Sequence, residues 1–275
     1  MNWTLRVGLG GLLILTIVPV NVGGQNVGGQ SPASGPIASR QGNPPIIIRE
    51  RHGKDVTSTN WSGYTVTGDR GSVTDVTASW IVPAIQGTCP ATNQYASFWV
   101  GIDGYSSNTV EQIGTDSDCQ NGNPVYYAWY EFYPHSAYGV NMTIQPGDVI
   151  SAEVSAGARG LFTVTLTNVT RNQTFIKSAR VPSAKQSSAE WIAEAPSSGG
   201  VLPLANFGTV SFGQKYTPVP NTCYATVGCA TGAIASFSTN VKITMVDNNG
   251  AIKAQPTALT KDGSSFSEAW VSSGP

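Results

Sequence analysis

Short β-type segments separated by glycine- and asparagine-rich turns constrain the fold of this chain more than any other feature. Residues 73–82 are rich in β-branched side chains and end at Pro83, and residues 149–154 and 162–167 alternate with a period of two. Turn-forming clusters occupy residues 68–71 and 247–250. Residues 183–194 fit a helix or a strand, and no amphipathic helix exceeds two turns. The pattern predicts an all-β fold, an antiparallel two-sheet β-sandwich of the concanavalin A-like or jelly-roll type.

Composition and charge point to an exported protein. Charged residues make up only 11% of the 275 residues, and the net charge is −1. This balance gives no basis for binding nucleic acid or an anionic membrane. We expect a monomer that acts outside the cell and has no membrane contact once its signal is removed.

The N-terminus has the features of a secretory signal. Arg6 precedes an apolar stretch at residues 7–20 that is too short and too poorly flanked for a stable membrane span. We therefore assign residues 1–24 to a signal peptide. A retained membrane anchor is the alternative interpretation of the same stretch.

The next segment differs from the rest of the chain in composition and charge. Glycine, proline, glutamine and serine dominate up to Pro45, and residues 25–56 contain four basic and two acidic side chains, a net of +2. Residues 57–275 contain ten basic and fourteen acidic side chains, a net of −4. We interpret residues 25–57 as a propeptide that inhibits the acidic domain at residues 58–275 and is released when carboxylates protonate. A disordered tether fits the composition equally well.

Four cysteines allow three disulfide pairings, and export makes disulfides available. Proximity along the chain favours Cys89–Cys119 and Cys223–Cys229. No metal site is expected, because the spacings match no common zinc motif and no histidine lies nearby.

The familiar hydrolase motifs are missing. Only His52 and His135 are present, so a Ser-His-Asp or Cys-His triad would depend on His135, which we expect to be solvated in a loop after Pro134. The sequence contains no H-E-x-x-H, no G-x-S-x-G and no Asp-Thr/Ser-Gly. The remaining candidates for chemistry are carboxylates in apolar strands, whose burial would raise their pKa values: Asp103, Glu111, Asp116, Glu131, Glu190 and Glu194. Each of these acids has a structural role as its alternative.

Seven short motifs in order resemble those of the glutamic peptidases, or eqolisins, a family of secreted acid endopeptidases. The resemblance runs from about Asn60 to Phe212, and the motifs are N-W-S-G at 60–63, S-W-I-V-P at 79–83, W-V-G-I-D-G at 99–104, Q-I-G at 112–114, A-W-Y-E-F-Y-P at 128–134, A-E-W-I-A-E at 189–194 and F-G-T-V at 207–210.

The resemblance implies a catalytic pair formed by Gln112 and Glu194, with no metal or other cofactor. Glu190 competes with Glu194, because positions four apart on a strand face the same way. By similarity, further residues line or support the cleft, with Asp103 and Asp116 bracing it through hydrogen bonds: Trp61, Trp99, Asp103, Asp116, Trp129, Glu131, Tyr133 and Glu190. The chain departs from the family in having Val110-Glu111 before the glutamine, and Cys223–Cys229 would be an addition.

The implied activity is hydrolysis of proteins or peptides at acidic pH by a water held between the glutamate and the glutamine amide. Two other functions fit a secreted β-sandwich. One is a carbohydrate-binding or glycoside-cleaving module, since exposed aromatics stack on sugars and two carboxylates cleave glycosides. The other is a non-catalytic secreted β-domain.

Overall fold

The computed structural model describes Ile37 and residues 46–274. Within this part of the chain the only helices are two short 3-10 turns, Ala158–Gly160 and Ile234–Ser236. No described helix has the length and apolar character needed to cross a membrane. The predicted signal peptide lies outside the described residues.

Nine strands form the first sheet, sheet I. In spatial order they are β1 (Ile48–His52), β2 (Asp55–Ser58), β16 (Asn240–Val246), β3 (Trp61–Thr67), β12 (Ser188–Glu194), β5 (Ser97–Ile102), β6 (Val110–Gln120), β7 (Asn123–Tyr133) and β8 (Tyr138–Val140). Neighbouring strands are antiparallel, except that β2 runs parallel to β16.

The remaining strands form sheet II. Its order is β17 (Ile252–Pro256), β18 (Phe266–Trp270), β13 (Thr209–Phe212), β4 (Val73–Ile81), β9 (Val149–Gly157), β10 (Leu161–Asn168) and β11 (Gln173–Arg180). A hairpin of β14 (Tyr224–Val227) and β15 (Ala230–Ala233) pairs with the start of β4. The predicted β-sandwich is confirmed, and residues 188–194, where a helix was also possible, form β12.

The main core lies between the two sheets and follows from strand alternation. In β9 the side chains at 150, 152 and 154 are buried and those at 151, 153 and 155 are more exposed, as the period of two predicts. Large side chains from both sheets fill this layer: Trp80, Phe98, Phe162, Trp191 and Phe212. By contrast, β12 is buried at every position, because a second cluster covers the other face of sheet I.

The disulfide expectations have different outcomes. Cys89 and Cys119 are bonded, with α-carbons 5.3 Å apart. The proposed Cys223–Cys229 pairing is wrong for this structure, where both are free thiols. Cys223 precedes β14 and is fully buried, whereas Cys229 is exposed at the turn between β14 and β15. Closeness in sequence therefore does not bring their sulfur atoms together.

Part of the predicted leader forms strands. Ile37 is buried, and β1 and β2 belong to sheet I. The predicted boundary after residue 57 lies inside β2.

Candidate active site

The candidate residues lie on the outer face of sheet I, the face turned away from sheet II. Strand register arranges them in three rows that run across β3, β12, β5, β6 and β7. The first row is Thr65, Glu190, Gly101, Gln112 and Glu131; the second is Gly63, Ile192, Trp99, Gly114 and Trp129; the third is Trp61, Glu194, Ser97, Asp116 and Tyr127. Alternation along each strand predicts that these side chains share one face, and the register fixes which of them are neighbours.

The carboxylate of Glu194 is held by two indole groups. The Nε1–H of Trp99 donates to Oε2 of Glu194 at 2.9 Å, and the Nε1–H of Trp61 donates to Oε1 at 3.2 Å. The two rings meet edge to face, with centroids 4.8 Å apart. Glu194 is 1% exposed. These two donors fix the position of the carboxylate at the end of β12.

The amide of Gln112 is oriented by a second acid. Its Nε2 donates to Oε2 of Glu131 at 2.6 Å, and both residues are 1% exposed. Oε1 of Gln112 has no hydrogen-bond partner among the described residues. Because an amide nitrogen only donates, the contact with Glu131 determines which end of the Gln112 side chain is the nitrogen.

Gln112 and Glu194 lie in the first and third rows, on either side of the row that contains Trp99. In register Gln112 shares its row with Glu190, and Glu194 is four residues further along β12, about 13 Å along the strand. The indole spans part of this separation. Its Nε1 contacts Glu194, and a methyl group placed on Gly101 would lie 2.9 Å from Cζ3 of Trp99 and 3.2 Å from Cβ of Gln112.

Two glycines make room for this indole. A Cβ on Gly101 would contact Cζ3 of Trp99, and a Cβ on Gly114 would lie 2.6 Å from Cβ of Trp99 and 2.3 Å from the Phe98 carbonyl oxygen. Separations under about 3.0 Å do not occur between real atoms of this kind, so both sites exclude side chains. The glycines of the W-V-G and Q-I-G motifs therefore position the tryptophan.

Glu190 is a fully buried acid. Its Oε1 accepts a long hydrogen bond from the Thr65 hydroxyl at 3.4 Å, and its side chain is fully buried. Burial, with the charge of Asp103 adding to it, raises the pKa of Glu190 well above its usual value. Burial raises the pKa of Glu111 in the same direction, again with Asp103 adding to it. Glu190 is thus a neutral acid over the range in which a glutamate base would be ionised.

Asp103 and Asp116 make structural hydrogen bonds. Asp103, with φ of 71°, accepts the backbone N–H groups of Lys185, Gln186 and Ser187 at 2.7–2.9 Å. It thereby fixes the start of β12 against the end of β5. Within the third row, the hydroxyl of Tyr127 donates to Oδ2 of Asp116 at 2.8 Å.

Trp129 and Tyr133 complete the outer face. Trp129 is buried in the same row as Trp99, and Tyr133 is half-buried against the same cluster. Sequence reasoning missed Tyr127, although alternation on β7 places it on the same face as Trp129. His135 is exposed in the loop after β7 and is not part of these rows.

Residues from the N-terminal segment cover this face. The N–H of Ile37 donates to the Ala137 carbonyl at 2.9 Å, and Ile37 belongs to the same apolar cluster as Trp61, Trp99 and Trp129. Ile46 and Ile48 pack against that cluster as well. These isoleucines therefore contribute to the burial of the outer face on which the candidate catalytic side chains lie.

Comparisons with known proteins agree on one family. The model of the Peptidase A4 family matches residues 59–255. Aspergillopepsin-2 of Aspergillus niger is 33% identical over 204 residues, which cover 63% of this chain and 72% of that protein. Scytalidopepsin B of Scytalidium lignicola is 34% identical over 134 residues, 48% of each chain.

Solved structures give the same result. Scytalido-glutamic peptidase with a transition state analog inhibitor matches with a TM-score of 0.64 and 25% identity, covering 78% of this chain and 98% of that chain. The aspergilloglutamic peptidase from Aspergillus niger matches with a TM-score of 0.55 and 28% identity, covering 65% and 99%.

The β-sandwich and these matches define an endopeptidase of the glutamic class. The chain belongs to the Peptidase A4 family, the eqolisins, and the resemblance seen in its seven motifs is confirmed. Membership of this family favours peptide-bond hydrolysis over the sugar-binding and non-catalytic alternatives.

Proposed function

We propose that this chain is a secreted acid endopeptidase in which Glu194 and Gln112 act together on one water molecule. The observation that carries the proposal is that the outer face of sheet I contains both a carboxylate bonded by two indole N–H groups, Glu194, and an amide bonded to a second acid, Gln112. Both groups share one face of one sheet, on the matched family region.

In this mechanism the Glu194 carboxylate takes a proton from the water as that water attacks the peptide carbon. The Gln112 amide orients the water and donates a hydrogen bond to the developing oxyanion. Glu194 then gives its proton to the leaving nitrogen, and the peptide bond breaks. The pKa of a glutamate in a model peptide is about 4.3, so a glutamate base of this kind is expected to act at acidic pH.

Glu131 and Trp99 have positioning roles in this scheme. Glu131 orients the Gln112 amide by accepting one of its two N–H groups, which leaves the other to donate to the oxyanion. Trp99 and Trp61 hold the Glu194 carboxylate in place through their indole N–H groups. The neutral acid Glu190 is assigned no role in bond breaking, because a protonated carboxyl does not accept a proton from water.

We also propose that the leader at residues 25–57 inhibits the enzyme until it reaches acid outside the cell. Three isoleucines support this proposal, since Ile37, Ile46 and Ile48 pack on the tryptophan cluster that includes Trp99. The electrostatic attraction between the basic leader and the acidic domain weakens as carboxylates protonate, and this favours release at low pH.

Substitution of the pair tests the mechanism. Glu194→Gln and Gln112→Ala should each abolish cleavage of an unfolded protein substrate at about pH 4, because each removes a proton acceptor or an oxyanion donor. Glu190→Gln is the matched control and should retain activity. Urea unfolding curves establish that each variant is folded. If Glu194→Gln is active and Glu190→Gln is not, the base is Glu190 and the assignment is wrong.

A further inference from the structure

The outer face of sheet II, turned away from the candidate peptidase site, is coated with hydroxyl groups. Strand register arranges its outward side chains in three rows across β14, β4, β9, β10 and β11. The first row is Thr226, Asp75, Ser155, Thr163 and Ser178; the second is Tyr224, Thr77, Glu153, Thr165 and Ile176; the third begins on β4 and is Ser79, Ser151, Thr167 and Thr174. Apart from two acids and one isoleucine, every residue in these rows carries a hydroxyl group. We call the three rows the hydroxyl face.

The side chains of the hydroxyl face are accessible and partly pre-oriented. Except for Ser79, which is fully buried, the residues of the three rows are half-buried or exposed. At both ends of the first row hydroxyl groups are bonded in pairs, Thr163 with Ser178 at 2.8 Å and Thr226 with Thr231 of β15 at 2.8 Å. Because a hydroxyl has one donor and two acceptor positions, each pair is oriented and still has positions for a ligand.

Two carboxyl groups lie in the middle of the hydroxyl face. Asp75 is opposite Ser155 and Glu153 is opposite Thr77, so the two acids are diagonal neighbours on β4 and β9. Burial, together with a hydrogen bond to Glu153 and the charge of that residue, raises the pKa of Asp75 to about 7. In acid the pair therefore holds a proton between its oxygens, and it can both donate and accept hydrogen bonds.

The chemistry of the hydroxyl face excludes several kinds of partner. Nucleic acids and other acidic polymers are bound through Lys and Arg side chains, which the three rows lack. A peptide that adds to a sheet needs a free strand edge, whereas β4, β9 and β10 are each paired on both sides. A polysaccharide without charged groups carries hydroxyl donors and acceptors on every sugar unit, so it matches a surface of the same kind.

The dimensions of the second row suit such a chain. Neighbouring strands lie about 4.8 Å apart, which is close to the length of one sugar unit. From Tyr224 on β14 to Ile176 on β11 the row crosses four such steps, about 19 Å. Tyr224 adds a ring with an apolar body and a polar tip. Two carboxyl groups that are bonded to each other are closer than the roughly 5 Å that glycoside cleavage requires, so this arrangement can bind a sugar chain without cutting it.

We propose that the hydroxyl face is a second binding site, which takes a neutral polysaccharide along the row of Tyr224, Thr77, Glu153 and Thr165. The site acts beside the peptidase activity and not in place of it. Sheet II carries it, whereas Gln112 and Glu194 lie on the outer face of sheet I. The enzyme can therefore stay attached to a polymer surface while its peptidase face remains free for substrate.

Binding to insoluble polymers tests this site. The full Glu194→Gln chain, which cannot digest itself, is mixed at about pH 4 with cellulose, chitin or an insoluble β-glucan, and the sedimented protein is measured. The chain should bind at least one of these polymers, and a soluble oligosaccharide of the same type should release it. Glu153→Lys and Thr165→Lys should each weaken binding about tenfold or more, because the new side chain covers the second row.

The matched control is Thr92→Lys, which places the same side chain at an exposed position in the loop before β5 and should bind like the parent. Urea unfolding establishes that each variant is folded. No binding to any of the polymers, or an equal loss in Thr92→Lys, would overturn the proposal, as would release of sugar fragments from the polymer. Because every chain in the assay lacks the catalytic glutamate, none of these results depends on the proposed peptidase mechanism.

Discussion

The buried carboxyl groups predict that this fold is most stable in acid, and Glu268→Gln measures the effect at one position. Glu268 is fully buried in β18, and its Oε2 accepts the Ser62 hydroxyl at 2.5 Å. Burial raises the pKa of Glu268 well above its usual value. Three more fully buried acids have pKa values raised in the same direction, chiefly by burial: Glu111, Asp118 and Glu190.

The sign follows from the protons bound in each state. A raised pKa means that the folded chain keeps a proton that the unfolded chain loses above about pH 4.3. The stability due to that proton is fully present below the unfolded pKa and is lost as pH rises towards the folded one. In that window each such group lowers the free energy of unfolding by about 1.4 kcal/mol for each unit that the pH rises.

The variant should therefore flatten the pH dependence. As pH rises above about 4.5, the parent should lose free energy of unfolding faster than Glu268→Gln does, by at most about 1.4 kcal/mol per pH unit, because glutamine does not titrate. Urea unfolding at several pH values measures this difference, in a Glu194→Gln background that prevents self-digestion.

The matched control is Asp262→Asn, at an exposed acid whose pKa is lowered to about 2 by hydrogen bonds from Thr260 and Ser264. Over the same pH window Asp262→Asn should leave the slope unchanged, since its linkage acts at lower pH. Equal slopes in parent and Glu268→Gln would refute the reasoning.

Three further predictions concern the residues around the indole. Trp99→Phe removes the 2.9 Å bond to Glu194, so kcat/KM should fall about 10- to 100-fold and its acid limb should move to higher pH; Trp61→Phe, which removes the longer bond, should cost less. Glu131→Leu should lower kcat more than it raises KM, because Gln112 loses the acceptor that orients its amide; equal activity would show that this contact is not needed. Gly101→Ala should destabilise the fold by about 1–3 kcal/mol in urea unfolding, since its methyl group overlaps Cζ3 of Trp99, and an unchanged midpoint would contradict the packing argument.

Part of the site was predictable because strand alternation depends only on neighbours in the sequence. Glu190 and Glu194 share a face because they are four residues apart on one strand. The candidate set around Gln112 came from motifs and is found on one face of sheet I. Alternation also predicted the two faces of β9 and β10.

Other features depended on which strands pair and in what register. Neither the Trp61 and Trp99 bonds to Glu194 nor the Gln112–Glu131 contact follows from local sequence, because each joins residues from different strands. The free Cys223 and Cys229 show the same limit, since closeness in the chain did not predict their separation. The predicted boundary after residue 57 lies inside β2, whose place is set by its distant partner β16.

The amino-acid sequence by itself determined the β-sandwich, the family and the set of polar side chains that can carry the chemistry, because strand periodicity and short motifs are local properties. The tertiary structure alone decided which of those side chains meet. It placed a carboxylate and an amide in rows on either side of the row that contains Trp99, and it packed Ile37, Ile46 and Ile48 on the tryptophan cluster. The physical reason is that hydrogen-bond register and close packing are settled between segments far apart in the chain, where no single stretch of sequence contains both partners.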